Sequence, residues 1–99
     1  MYVHIALYRW KASATPGRIK TALEGVKTLA DKVPGVVEIS WGENTSKYSD
    51  GYTHVILVQA ENQAAIDAYR QHPDHEKVAK EKEIETMEDH GIGVDFTPQ

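Results

Sequence analysis

An α+β fold of element order βαββαβ is predicted by three features of this 99-residue chain. Two segments, residues 1–10 and 52–60, carry apolar or aromatic side chains in both strand directions. Apolar residues recur at helical spacing between Ile19 and Val33, and a second helical stretch is interrupted at Pro73. Neither a repeat nor a linker divides the chain, so a single domain spans residues 1–99.

The first element, Met1 to Trp10, alternates with a period of two. Val3, Ile5 and Leu7 fall on one side and His4, Ala6, Tyr8 and Trp10 on the other, as in a strand. Thr15-Pro16 then supplies an N-cap followed by a proline at the first helical position. Ile19, Leu23, Val26, Leu29 and Val33 keep the helical period up to Pro34-Gly35. Val36 to Trp41 reads as a second strand with Val37, Ile39 and Trp41 on one face, and the polar stretch Gly42 to Gly51 as a loop.

Tyr52 to Ala60 is rich in β-formers and predicts a central strand, with His54, Ile56 and Val58 opposed to Val55 and Leu57. Asn62 caps a short helix that places Ala65, Tyr69 and His72 on one stripe. Pro73 ends it and opens another helical segment, with Asp74 and Glu76 at its positive end. Glu76 with Lys80 and Lys77 with Glu81 form i,i+4 pairs there, and the charge run to Glu85 reads as a solvated face. Gly91 to Phe96 closes the chain as a strand bearing Ile92, Val94 and Phe96 on one side and Gly93 and Asp95 on the other.

This order folds most simply as one four-stranded antiparallel sheet with the helices on one face, the ferredoxin-like plan. The other face is then bare, although the first and third strands are apolar in both directions, whereas a sheet facing water is polar on that side. A second copy laying its own sheet on the same surface hides both at once, so a homodimer through the sheet face, closing an α+β barrel, is expected. A domain this small gains from such burial.

Eleven basic and fifteen acidic residues give a net charge of -4, with the basic residues scattered, which removes the electrostatic reason for a nucleic-acid partner. The absence of cysteine excludes disulfides, thiolate catalysis and cysteine-based zinc sites, and the cytoplasm is the expected setting. No apolar run approaches the roughly 20 residues that cross a bilayer, so a soluble, unprocessed chain without a membrane partner is expected. His72 and His75 are three apart across a proline, which is not a recognised ligand spacing, and no metal site is expected. No serine elbow or glycine-rich phosphate loop is present.

The run Asp67-Ala68-Tyr69-Arg70-Gln71-His72-Pro73-Asp74-His75 places three proton-exchanging side chains where one helix ends and the next begins. An imidazole titrates at about 6.5 and a phenol donates or accepts a hydrogen bond, so the cluster is able to polarise and deprotonate a small bound molecule. Each residue also has a plainer reading. His75 is either a general base under the helices or a surface histidine in a first helical turn. Tyr69 is a buried aromatic or a hydrogen-bond donor to substrate. His72, before Pro73, suits a cap on the carbonyls of a helix end. His4 and His54 are hydrogen-bonded core residues or site residues, and His90 is a loop histidine.

Antiparallel pairing of the first and third strands puts His54 beside Tyr8. It leaves His4 about 13 Å away, since four residues of strand span that distance. With the returning helix above, Tyr8, His54, Tyr69 and His75 are expected to group together.

The Tyr52-Thr53-His54 strand, the run ending in His72-Pro73-Asp74-His75 and the opening His4 strand together resemble the stress-responsive α/β-barrel domain (Dabb) family over nearly the whole chain. The resemblance implies a ferredoxin-like protomer that dimerises into a barrel, in a family of mixed function that includes plant stress proteins and a polyketide cyclase working without metal or organic cofactor. By that likeness His75 matches a catalytic base and Tyr69 its assisting donor, while His4 and His54 match further pocket histidines. Tyr8 and His72 complete the expected substrate-binding set, and no cofactor is expected. Two readings follow: a cofactor-free cyclase, lyase or isomerase, or a non-catalytic stress-related binding or assembly protein. A cofactor-free monooxygenase stands behind both on fold analogy alone.

Overall fold

The structure, a computed structural model, describes residues 1–80 and 84–99. Four strands, β1 (Tyr2–Trp10), β2 (Val36–Glu43), β3 (His54–Ala60) and β4 (Glu88–Phe96), form one antiparallel sheet in the order β2-β3-β1-β4. Helices α1 (Pro16–Lys27), α2 (Gln63–Gln71), α3 (Pro73–Lys80) and the short α4 (Ile84–Met87) accompany it. This is the expected ferredoxin-like plan. No helix among the described residues is long and apolar enough to cross a membrane.

Local chemistry sets the helix starts. The Thr15 hydroxyl accepts from the Arg18 amide at 3.3 Å ahead of Pro16, and the Asn62 side chain accepts from the Ala65 amide at 3.0 Å. The first helix gives way after Lys27 to a 3-10 turn over Thr28–Asp31. That tightening keeps Leu29 and Val33 on the buried stripe begun by Ile19, Leu23 and Val26. At the following turn Gly35 has φ 87°, and a Cβ there would stand 2.8 Å from the Ala65 side chain. Only glycine lets the chain pass so close to α2.

The stripe of α1 packs with Ile66 and Tyr69 of α2, and with Ile84 and Met87 of α4, onto Ile39, Ile56, Val58 and Ala60 of the sheet. Burying a side chain such as Leu23 or Ile66 completely contributes about 1.5–3 kcal/mol. Val36 rather than the expected Val37 joins this layer. The strand register shifts between Val36 and Glu38, leaving Val36 9% exposed and Val37 55% exposed.

Two further expectations change. β4 begins at Glu88, three residues early, so His90 lies in a strand opposite Arg9 instead of in a loop, with its ring 6.1 Å from that of Tyr52. The charged face expected up to Glu85 contains the buried Ile84. The Glu76–Lys80 and Lys77–Glu81 pairs reach outside the described side chains and residues.

Away from the helices the sheet presents an apolar surface. Val3, Ile5 and Leu7 pair in register with Phe96, Val94 and Ile92 on one side, and Ile5 and Leu7 with Leu57 and Val55 on the other. Ile92, Val94 and Phe96 are 39–43% exposed.

Candidate active site

The helix-facing side of β1 carries His4, Ala6, Tyr8 and Trp10, each opposed on β3 by Val58, Ile56 or His54 except the last, which passes the end of the pairing. On β4 the corresponding positions are Asp95, Gly93 and Gly91, opposite His4, Ala6 and Tyr8. The two glycines leave a groove of about 340 Å³ lined by Ala6, Leu7, Tyr8, Glu88, Gly91, Ile92 and Gly93.

At one end of the row, Tyr69 and His75 meet edge to face with ring centroids 4.6 Å apart, and Tyr69 lies 6.0 Å from the His4 ring. Tyr69 is buried, as the α2 stripe requires, and His75 is half-buried in the first turn of α3. The His4 Nδ1–H donates to Asp95 Oδ1 at 2.5 Å, and the Arg70 guanidinium donates to Asp95 Oδ2 at 2.5 Å. Arg70 also comes within 3.2 Å of His4 Nδ1. One nitrogen cannot donate to the carboxylate and accept from Arg70 together, and the shorter carboxylate contact makes Nδ1 the donor. Burial works to raise the Asp95 carboxyl, but the hydrogen bonds and positive charge of Arg70 and His4 outweigh it and hold the group below the usual carboxylate value.

At the other end, the Trp10 indole donates to His54 Nδ1 at 3.0 Å, and the Thr53 hydroxyl reaches the same nitrogen at 2.9 Å. With Nδ1 accepting, the neutral ring carries its proton on Nε2. Trp10 stacks on Tyr8 at 5.0 Å and meets the edge of His54, and Trp41 stacks with His54 at 6.3 Å. Burial pushes the His54 pKa down from 6.5, against the opposing pull of the Glu43 carboxylate. His54, Trp41 and Glu43 border a second hollow, of about 350 Å³, against Ala14, Pro16 and Ile19.

Tyr8 stands between the two ends. Burial raises its phenol, and an ionised Tyr69 or the Glu88 carboxylate nearby raises it further. Burial raises Tyr69 as well, against a smaller lowering by Arg70. Both tyrosines are therefore neutral phenols at physiological pH, suited to donate a hydrogen bond and unsuited to act as bases.

The structure thus brings Tyr69 and His75 to His4 and not to His54, so the expected group of Tyr8, His54, Tyr69 and His75 divides in two. Helix rise explains it. The seven residues from Gln63 to Tyr69 advance only about 10 Å at helical rise, about three residues of strand, so α2 returns to the level of His4 and stops short of His54. His72 sits apart from both rings, with its own role. Its Nδ1 accepts from the Asp74 amide at 3.1 Å, and its carbonyl accepts from the His75 and Glu76 amides. It caps the start of α3 and not, with its side chain, the carbonyls of α2, because Pro73 brings no N–H and Asp74 carries the first orphan donor of the new helix. Lys32 grips the Asp74 carboxylate at 2.8 Å and holds its pKa low, pinning the turn that carries His75.

Sequence reasoning missed Arg70, Trp10 and Glu88. Only Trp10 left a signal, as a donor on the same strand face as Tyr8; Arg70 reaches Asp95 and His4 because of the α2 pitch, and Glu88 lines the groove because β4 starts early. Among the described residues no group of three His, Asp or Glu side chains is arranged to hold a metal ion.

A family model described as stress responsive A/B barrel domain matches residues 3–98. Olivetolic acid cyclase of Cannabis sativa is 24% identical over 74 residues, 73% of each chain. Among solved structures, hydroxynitrile lyase from Passiflora edulis superposes with a TM-score of 0.85 at 19% identity, covering 99% of this chain and 93% of its own. A dimeric ferredoxin-like protein of unknown function from Thermobifida fusca gives 0.82 at 23%, covering 98% and 90%. The structural likenesses, at these identities, carry the fold alone. With the family model running along nearly its whole length, the chain belongs to the stress responsive A/B barrel domain (Dabb) family.

Proposed function

We propose that this protein is a homodimeric, cofactor-independent cyclase or lyase for polyketide-like carbon acids, with His75 as base and Tyr69 as hydrogen-bond donor. The observation that carries the reading is the edge-to-face contact of the two rings at 4.6 Å, with burial keeping Tyr69 a neutral phenol. His75 takes a proton from a carbon between two carbonyls. The C–H electron pair moves onto a carbonyl oxygen as an enolate, and the Tyr69 O–H stabilises that oxygen. The enolate carbon then attacks a second carbonyl of the same molecule, and the imidazolium returns its proton to the alkoxide formed. His4 and Tyr8 line the floor beside the pair, and the similarity to olivetolic acid cyclase agrees with this class of reaction.

The dimer rests on the apolar sheet face and on the description of the Thermobifida fusca neighbour as dimeric. Val94→Glu places a charge in the middle of that face. Sedimentation of the variant as a monomer, beside a dimeric parent, is the expected outcome; a monomeric parent at micromolar concentration would remove this part of the reading.

Incubation with a poly-β-keto thioester tests the chemistry. Product should form with the parent and be lost in His75→Ala, with Tyr69→Phe slowed. Equal products from the parent and His75→Ala reject the role given to His75. The competing reading, a non-catalytic stress-related binding or assembly protein, draws on His72, whose ring is occupied with capping a helix. It predicts that His75→Ala and Tyr69→Phe shift melting alone.

A further inference from the structure

The hollow beside His54 lies over β2 and β3 and shares no residue with the groove over β1 and β4. Glu43 pairs in register with His54, and Trp41 with Ile56, so both stand on the helix-facing side with the core residue Ile39. The start of α1 passes above them. Ala14, fixed by its amide donating to the Lys11 carbonyl at 3.0 Å, and Pro16, the first helical residue, are too short to fill the space over the sheet end. About 350 Å³ is left, within the range of small-molecule sites. Ala14, Pro16 and the buried Ile19 make its helix wall apolar, and the stacked rings of Trp41 and His54 make its sheet wall aromatic. The exposed Lys20 and Glu43 also border it, one charge of each sign, so the hollow has no net charge to select an anion or a cation. Selection falls to His54. Its Nδ1 is occupied by the Trp10 indole and the Thr53 hydroxyl, and burial favours the neutral ring, so Nε2–H is the donor it offers.

We infer that this hollow is a second binding site, for a small uncharged aromatic molecule whose ring lies against Trp41 and whose carbonyl or similar acceptor takes the His54 Nε2–H. An aromatic ring gains ring-to-ring contact beyond its buried area, which a saturated ring of the same size does not. A carboxylate would surrender its water for one neutral donor and a Lys20 ammonium countered by Glu43. An acceptor-free hydrocarbon would cover the imidazole N–H without replacing its hydrogen bond. No proton moves in this site. It stands apart from the chemistry proposed for His75, and neither depends on the other.

Three probes that differ from one another in ring or charge test it: benzamide, cyclohexanecarboxamide and benzoate. The chain has two tryptophans, Trp10 and Trp41, so their indole N–H signals report on the site directly. Titration at pH 7 should give benzamide the tightest binding, about threefold or more tighter than cyclohexanecarboxamide and about tenfold or more tighter than benzoate. Ala14→Leu, in a half-buried turn, fills the hollow and should abolish the shifts. Trp41→Leu, read at Trp10, should remove the preference for benzamide over cyclohexanecarboxamide, while Lys20→Gln and Glu43→Gln should each keep benzamide within about twofold. His75→Ala should leave all three affinities unchanged, whatever it does to the thioester reaction. The inference is overturned if benzamide moves neither indole signal, if either other probe binds as tightly, or if Ala14→Leu binds benzamide as well as the parent does. Survival of the preference in Trp41→Leu, or altered affinities in His75→Ala, would overturn it equally.

Discussion

At the His4 end of the sheet an imidazole is held by charge, between the Asp95 carboxylate and the Arg70 guanidinium that grips the same carboxylate. At the His54 end an imidazole is held by neutral donors, the Trp10 indole and the Thr53 hydroxyl, with the Trp10 ring at its edge and the Trp41 ring stacked with it. The same residue type thus occupies two environments on one sheet face, separated by Tyr8. The charged end has Tyr69 and His75 above it and can stabilise developing charge. The aromatic end holds His54 as a fixed neutral ring, which suits packing and hydrogen bonding better than proton transfer near neutrality.

The sharpest way to break this contrast is to compare the two ends in the thioester reaction. His75→Ala should slow it by about 10²–10⁴-fold, the usual contribution of a general base, while His54→Ala should cost less than about tenfold. Equal losses would mean that the division of labour is wrong.

A smaller effect is expected from Trp10→Phe, which removes the donor to His54 Nδ1 but keeps the stack on Tyr8. Chemical denaturation should show a loss of about 1 kcal/mol. An NMR titration should show the His54 pKa moving up, since the lost hydrogen bond favoured the neutral ring. No upward movement would show that Trp10 does not hold this tautomer.

The two ends should also fail at different pH. His54 has a lower pKa folded than unfolded, so the unfolded chain takes up the proton first. Its contribution is intact above 6.5 and is lost as pH falls below that value. Asp95 is likewise lowered, so its stabilisation is present above 3.8 and is lost as pH falls through its folded value. Denaturation midpoints measured across pH should lose the first step in His54→Phe and the second in Asp95→Asn. At neutral pH Asp95→Asn should be the mildest change of all, about 1 kcal/mol or less, because the ion pair is partly exposed. One step lost in both variants would merge the two regions.

The contrast also measures what the residues disclosed in advance. Strand faces and helix starts were legible because they depend on local chemistry: alternation in β1, and Thr15-Pro16 and Asn62 as caps. The bulge that exchanges Val37 for Val36 was not, since it depends on how β2 meets β3. Within the site, Tyr8 opposite His54 followed from pairing alone. The placement of Tyr69 at His4 required the helical rise to be set against the strand rise, and that depth is fixed by packing on Ile66 and the core rather than by any motif. The His72 capping bond was half legible: Pro73 marked a helix boundary, but which side of it the ring would serve depended on its rotamer.

The central claim, that His75 beside Tyr69 removes a carbon-bound proton, is tested most directly by deuterium uptake. A simple β-keto thioester is incubated with the protein in D2O, and loss of the signal of the methylene between its carbonyls is followed by proton NMR against buffer alone. Uptake well above the buffer rate is expected for the parent and His54→Ala, and the buffer rate for His75→Ala. Uptake in His75→Ala equal to that of the parent, or none above buffer in the parent, would contradict it.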